Sequence, residues 1–343
     1  MRTPRLYAFL ACLIATSLQL RAGEVEVGKY AGEFMALGVG ARPLGLGGAY
    51  VALASDVWAG YWNPAGLSAL LYPEISYMHS EQFAGVVNFD YAGFALPCGP
   101  RHSMGLTVTR VGVDDIPVTA LRNADLKLGE VYQDETGRLQ RNVPYVARTI
   151  SDAEWAIYLT MAKEAAPWAW GVSTKLVYKS IGEHSAWGLG FDLGMRRVCA
   201  NGLLLGAAVQ DLTTTLLSWD TGRRELIVPT VKLGAARPWQ VPFWGLRLTP
   251  AADAEVRFEG RRFSAQAHLG PASFDMHLGL EAEIRGAFAL RVGSDVGHLT
   301  LGAGIHLPRL DVDYAFLGRQ YLGHTHRISL RLRLEEARFR RPD

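Results

Sequence analysis

Arg327-Ile328-Ser329-Leu330-Arg331-Leu332-Arg333-Leu334 alternates a polar side chain with a branched apolar one at every step. In an extended chain successive side chains point to opposite faces, so this segment has one greasy face and one cationic face. The same period recurs upstream. Met276, Leu278, Leu280 and Ile284 alternate with His277, Gly279, Glu281, Glu283 and Arg285, and Trp187, Leu189, Phe191, Leu193 and Met195 alternate with Gly188, Gly190, Asp192, Gly194 and Arg196. Segments 154–161, 168–179, 246–258, 287–292, 299–307 and 310–316 read the same way. From residue 74 onward the chain is a succession of strands.

Alternation fits a soluble sandwich as well as a membrane barrel. Two features favour the barrel. A soluble sheet has a charged and hydroxylic outer face, whereas many polar-face positions here are glycine or alanine. Trp155, Trp168, Trp170, Trp239, Phe243 and Trp244 also stand at strand ends, where a barrel places its aromatic girdles. The segments number about 14, an even count of the kind single-chain bacterial barrels have. Counted from a periplasmic start, the long connections 114–151, 214–226, 259–274 and 318–325 all fall outside the cell, and the periplasmic ones are brief. The count is open at 259–274, where 263–269 reads as a further strand or as a folded-back loop. The fold expected is all-β, an antiparallel transmembrane barrel of about 14 strands over 74–334, closed so that no backbone group is left unpaired in lipid. Its place is the bacterial outer membrane, with outer-membrane lipid around it.

Composition agrees: 49% of residues are hydrophobic and 20% charged, with 37 glycines and 9 tryptophans. The formal net charge is +2, and no basic run is interleaved with aromatics, so nucleic acid is set aside as a partner. Met1-Arg2-Thr3-Pro4-Arg5, the apolar run 6–20 and Arg21-Ala22-Gly23 read as a secretory signal peptide over 1–22. No later run reaches the roughly 18 apolar residues of a membrane helix.

Between signal peptide and strands lies the densest run of small residues, GVGARPLGLGGAYVALASDVWAGYWNPAGL at 38–67. Small residues let backbone pack on backbone, and Gly45, Gly47 and Gly48 tolerate angles that a Cβ forbids. Residues 23–73 are therefore expected to be an N-terminal hatch inside the lumen. Ser55-Asp56 caps a short helical turn over Val57 to Tyr61, which Pro64 ends, and Trp62 and Gly66 belong to the same hatch. Asn63 either satisfies backbone groups at that turn or lines a ligand route. Residues 335–343 form a C-terminal tail.

The inward strand positions gather Asp192, Arg196, Asp253, Glu255, Glu281, Glu283, Arg291, Asp311, Asp313, Arg331 and Arg333, with Arg247, Arg257 and Arg285 beside them. Both signs are mixed, so cross-strand pairing that holds the hatch is the first reading and a selectivity lining the second. Cys98 and Cys199 sit about four strands apart, too far for a disulfide, and read as free thiols. His324 and His326 share a face without further ligands, so no metal is assigned. No Gly-x-Ser-x-Gly or comparable motif marks a hydrolase. The chain reads as non-enzymatic and free of cofactors.

Gly40-Ala41-Arg42-Pro43-Leu44-Gly45-Leu46-Gly47-Gly48-Ala49-Tyr50-Val51-Ala52, Asp56 and Tyr61-Trp62-Asn63-Pro64-Ala65-Gly66-Leu67 resemble the N-terminal signature of the PorV/PorQ family of outer-membrane proteins. The closing Asn-Pro-Ala-Gly is also similar to the end of the hatch in the more distant FadL fatty-acid transporters. Gly206-Ala207-Ala208-Val209-Gln210-Asp211-Leu212 and Leu310-Asp311-Val312-Asp313-Tyr314-Ala315-Phe316 extend the likeness along the mature chain. The resemblance implies a FadL-like barrel and two classes of function. The PorV/PorQ side implies a binding and adaptor component of type IX-like protein export, with exported proteins or secretion-machine subunits met by loops 114–151 and 214–226. The alternative is a FadL-like passive transporter of hydrophobic small molecules, held near Tyr61, Trp62 and Asn63. The resemblance leans toward export. One departure is that such barrels commonly end in an aromatic residue, whereas here the tail follows Leu334 and Phe339 is the nearest candidate.

Overall fold

The computed structural model describes residues 25–342 except 29–30, 84, 243–244 and 320–322. The signal peptide 1–22 and the girdle candidates Phe243 and Trp244 lie outside the described residues. The wall strands are β1 (Glu74–Gln82), β2 (Val87–Pro97), β3 (His102–Leu121), β4 (Pro144–Ala165), β5 (Trp168–Ile181), β6 (His184–Val198), β7 (Leu204–Gln210 with Thr215–Trp219), β8 (Arg224–Ile227, Thr230–Ala236 and Trp239–Val241), β9 (Leu246–Arg257), β10 (Ala272–Ile284), β11 (Phe288–Asp295), β12 (His298–His306), β13 (Leu310–Arg319) and β14 (Gly323–Arg333). Each pairs antiparallel with the next. β14 pairs back onto β1, from Glu74↔Arg333 to Glu81↔His326, which closes a 14-stranded antiparallel barrel. Closure leaves no sheet edge to face lipid.

Several expected loops are shorter than the alternation implied. The β3–β4 ladder continues to Leu121↔Pro144, so 114–151 is largely a projecting hairpin, and its tip carries a small ladder of Val131–Gln133 with Leu139–Arg141. A register shift between Val113 and Ile116, with Asp115 at φ 56, swaps the faces there and breaks the period of two. In the same way Thr215–Trp219 pairs with Arg224–Ile227 across most of 214–226, and β13 and β14 take up most of 318–325. The open case at 259–274 resolves as a folded-back loop. Ala267–Leu269 pairs with the start of β10 on the side away from β9, since Ser273 pairs with both His268 and Arg257. It adds no wall strand.

The two faces of β14 show why the pattern reads as it does. Ile328, Leu330 and Leu332 point outward at 55%, 40% and 39% exposure, and Arg327 and Ser329 point inward and are buried. Outward aromatic residues mark both rims. Trp155, Tyr178 and Trp187 align across β4, β5 and β6 toward the outer side, while Trp168 and Trp239 at the periplasmic side lie under the guanidiniums of Arg197 and Arg237. A greasy band between two aromatic rims is the surface a membrane barrel presents.

The N-terminal segment fills the lumen. It begins with a short strand, Val25–Val27, paired in parallel with Arg224–Leu226, and continues in short turns, Glu33–Ala36, Ala41–Gly45, Ala59–Trp62 and Pro64–Ala69, with Val39, Leu46, Tyr50, Val51 and Leu67 wholly buried. The wall opposite is glycine because plug backbone rests on it. A Cβ at Gly171 of β5 would stand 2.2 Å from the carbonyl carbon of Pro64, one at Gly206 of β7 2.5 Å from the Val51 oxygen, and one at Gly279 of β10 2.5 Å from the Leu46 oxygen. Real Cβ atoms do not approach so closely. Gly171→Val is expected to leave the wall intact and expel the plug, raising the conductance of the protein in planar bilayers severalfold. Gly99→Val, where no atom lies within 4 Å, is the control and should conduct as the wild type does.

Candidate functional site

Two cavities flank the plug inside the barrel. The outer one, of about 400 Å³, lies between plug residues such as Leu37, Leu44 and Trp62 and the outward ends of β8 to β14. The periplasmic one, of about 210 Å³, lies between Arg42, Asp56 and Trp58 and the inward ends of β9 to β14. Residues 31–70 separate them.

The plug is tied to the wall by a chain of charges. Arg42 donates through Nε and Nη2 to the two oxygens of Glu281 on β10, each at 2.8 Å, a bidentate geometry that a guanidinium is shaped for. Glu281 also accepts from Arg291 Nε at 2.7 Å, and Arg291 reaches on to Asp313 at 2.7 Å. On the other side Tyr50 donates its hydroxyl to Asp56 at 2.7 Å, and Asp56 accepts from Arg331 of β14 at 3.2 Å. Arg331 in turn holds Asp311 and stands 3.6 Å from Glu74. The relay runs from β13 through the plug and back to β14 and β1.

The remaining predicted charges are placed around it. Asp253 accepts the N–H groups of Tyr50 and Val51 at 2.7 and 2.8 Å, and Arg196 donates to the Ala52 carbonyl at 3.2 Å, so both grip plug backbone. Glu255 pairs with Lys232 at 2.9 Å and with Arg257. Asp192 pairs with Lys175 at 3.1 Å in the wall beside the break in β7, where Asp211 adopts φ 54 and takes the same ammonium at 2.8 Å. Glu283 pairs with Arg247 at the periplasmic rim. Arg333 donates to the Pro308 carbonyl, the most solvent-facing contact of the set.

The predicted hatch residues also fall together. Asn63 donates to the Val51 carbonyl at 2.9 Å and to Met195 of the wall at 3.1 Å, and its side-chain oxygen accepts the Ala65 N–H. Trp62 donates to the Val39 carbonyl, and the Tyr61 hydroxyl accepts the Gly38 N–H and donates to the Met35 carbonyl. Burial pushes the Tyr61 phenol up to about 12, so it stays a neutral donor. Gly47 and Gly48 have φ of 65 and 84, and Gly45 lies against Gly302 of β12. Pro64 and Gly66 are buried in the last plug turn, where a Cβ on Gly66 would meet the Ala54 oxygen at 2.3 Å. Asp56 accepts the Trp58 N–H, which is a local cap over the turn to Trp62.

Sequence reasoning did not single out Arg42, Lys175, Lys232, Asp211 or Arg327. Arg327 shares a face with Arg331 and Arg333, and Lys175 and Lys232 stand at polar positions of alternating segments, so the same period would have found all three. Arg42 and Asp211 lie where the period fails, one in the plug and one at the break in β7. Cys98 and Cys199 are free thiols, and no group of three potential metal ligands occurs among the described residues.

No protein-family profile and no curated protein matches the sequence. In three dimensions the chain is similar to the CymD monoaromatic hydrocarbon channel, with a TM-score of 0.57 at 12% identity over 88% of this chain and 98% of that one. It is also similar to the P. putida toluene transporter TodX, at 0.55 and 13% over 87% and 99%. A Pseudomonas aeruginosa FadL homologue gives 0.53 and 11% over 87% and 98%. At such identities the likeness is one of fold. The protein is a bacterial outer-membrane β-barrel. Its closed barrel has the same architecture as these three solved structures.

The relay predicts a specific weakness. Glu281 is 1% exposed, and replacing it with a neutral group leaves Arg42 and Arg291 without their common counter-charge, a loss of about 3 kcal/mol or more for a buried pair. Glu281→Gln is expected to lower the temperature at which the folded barrel unfolds in cold detergent gels. It should also open the plug to chymotrypsin at Tyr50 and Trp58, which are buried in the folded barrel, while the wild type stays resistant.

Proposed function

We propose that this protein is a non-enzymatic, passive channel for small apolar or amphipathic molecules across the outer membrane, with the N-terminal plug as its movable barrier. The observation that carries this reading is the plug held between two cavities in a barrel of the FadL type. Three neighbours of that fold are described as a hydrocarbon channel, a toluene transporter and a FadL homologue. Barrier and cavity together suit a route in which a ligand seats in the outer cavity and the plug shifts to pass it on. The hatch residues Gly45, Gly47, Gly48, Tyr61, Trp62, Asn63, Pro64 and Gly66 are assigned to that barrier, and the lumen charges to holding it. The mature domains follow as hatch 23–73, barrel 74–334 and tail 335–343. The export-adaptor role implied by the PorV/PorQ resemblance gains no support from these neighbours.

Intact cells are the right assay, because apolar solutes cross phospholipid unaided whereas a lipopolysaccharide leaflet holds them back. Expressed in a Gram-negative host stripped of its own channels of this fold, the wild type is expected to raise the initial uptake of labelled toluene severalfold. The Arg42→Ala variant, with its plug anchor removed, is expected to exceed it. Uptake equal to that of empty cells would sink the reading, and stoichiometric exported proteins co-purifying in mild detergent would favour the adaptor role in its place.

A further inference from the structure

Among the described residues that line the outer cavity, one buried cation has no carboxylate in direct contact with it. The cavity's carboxylates are already engaged: Glu255 by Lys232, Asp275 by Arg261 at 2.9 Å, Asp295 by His277 at 3.1 Å, and Asp253 by the plug amides of Tyr50 and Val51. Glu33 is taken by Arg257 at 3.2 Å. Arg327, on β14, lines the same cavity and is only 2% exposed, yet among the described residues it forms no ion pair with a carboxylate. Its contacts are weak. Nη1 and Nη2 reach the carbonyls of Gly40 and Leu37 at 3.5 and 3.3 Å, its Nε has no hydrogen-bond partner, and the Phe89 ring lies 5.5 Å away. Arg319, which lines the cavity beside it, has an unpartnered buried Nε as well and stands 3.9 Å from Asp295.

An uncompensated buried guanidinium is costly, in contrast to Arg42, Arg291 and Arg331, which the same lumen pairs closely. We propose that Arg327 is the anion-binding residue of the outer cavity, and that the molecule the channel takes up is a small aromatic or short-chain carboxylate. The carboxylate would lie along the guanidinium, the arrangement that a planar fork of donors favours. Leu37, Leu44, Trp62 and Leu317 supply an apolar side to the same cavity, and a volume of about 400 Å³ suits a ligand of one ring or a few carbons. This inference rests on the channel reading above and narrows its substrate class.

Benzoate and its neutral amide, benzamide, are the probes, titrated calorimetrically into the purified mature chain in non-ionic detergent. The wild type is expected to bind benzoate at least about tenfold more tightly than benzamide, the scale of one hydrogen-bonded charge. Arg327→Gln, with its folded state verified by heat-shifted mobility, should bring benzoate down to the benzamide level, and Arg327→Lys should restore part of the difference. Asp295→Asn leaves Arg327 in place and removes a nearby negative charge, so it should tighten benzoate severalfold. A wild type that does not distinguish the two probes overturns the proposal, as does a folded Arg327→Gln that binds benzoate unchanged. Should Arg327→Gln fail to fold, Arg327→Lys decides the matter: a folded Arg327→Lys that keeps the full wild-type preference for benzoate overturns the proposal. Toluene uptake by the wild type without a preference for benzoate would leave the channel reading standing and remove only this one.

Discussion

The constraint on which the structure depends is the approach of plug backbone to wall backbone. At Gly171, Gly194, Gly206, Gly234, Gly279 and Gly293 an added Cβ would lie 2.2 to 2.5 Å from plug atoms or from the carboxylates that hold them. Lumen-facing glycines in a strand normally weaken it, since they contribute no packing and lose more conformational entropy. Here they are what allows a plug as thick as a folded chain to sit within a barrel of this strand number. The cost in strand propensity falls on positions whose neighbours on the outward face, Leu, Val and Trp, hold the wall in the membrane.

Contact of backbone with backbone would be loose without direction, and the charges supply it. Glu281 accepts from a plug arginine and a wall arginine at once, and Asp56 accepts from plug tyrosine and wall arginine. Buried pairs of this kind gain little over apolar packing, because each ion gives up its water. Their effect is positional: removing one member strands another, so the plug has one favoured seat.

Much of this was readable along the chain. The alternation in 327–334 and 276–284 carries the fold by itself, because a side-chain period of two with one apolar face has few homes other than a half-buried sheet. The inward faces of the charged strands followed from the same period. What the period concealed were places where it breaks. Asp115 and Asp211 take positive φ, the faces exchange, and the strands run on beyond the point where alternation stops. Arg42 was hidden for a different reason, since a plug of short turns has no period and its arginine looks like any loop cation.

By itself the sequence determined the all-β class, the even strand count, the inward and outward faces of most strands, and a small-residue segment suited to a lumen. These are local properties, set by spacing and side-chain type, and neighbours a few residues away suffice to establish them. Only the tertiary structure decided which charges meet, which carboxylate is already taken, and which cation is left over. Arg42 and Glu281 are 239 residues apart, and Arg327 and Leu37 are 290 apart. Closure of the barrel brings them together, and no periodicity along a chain can register a contact made across the lumen.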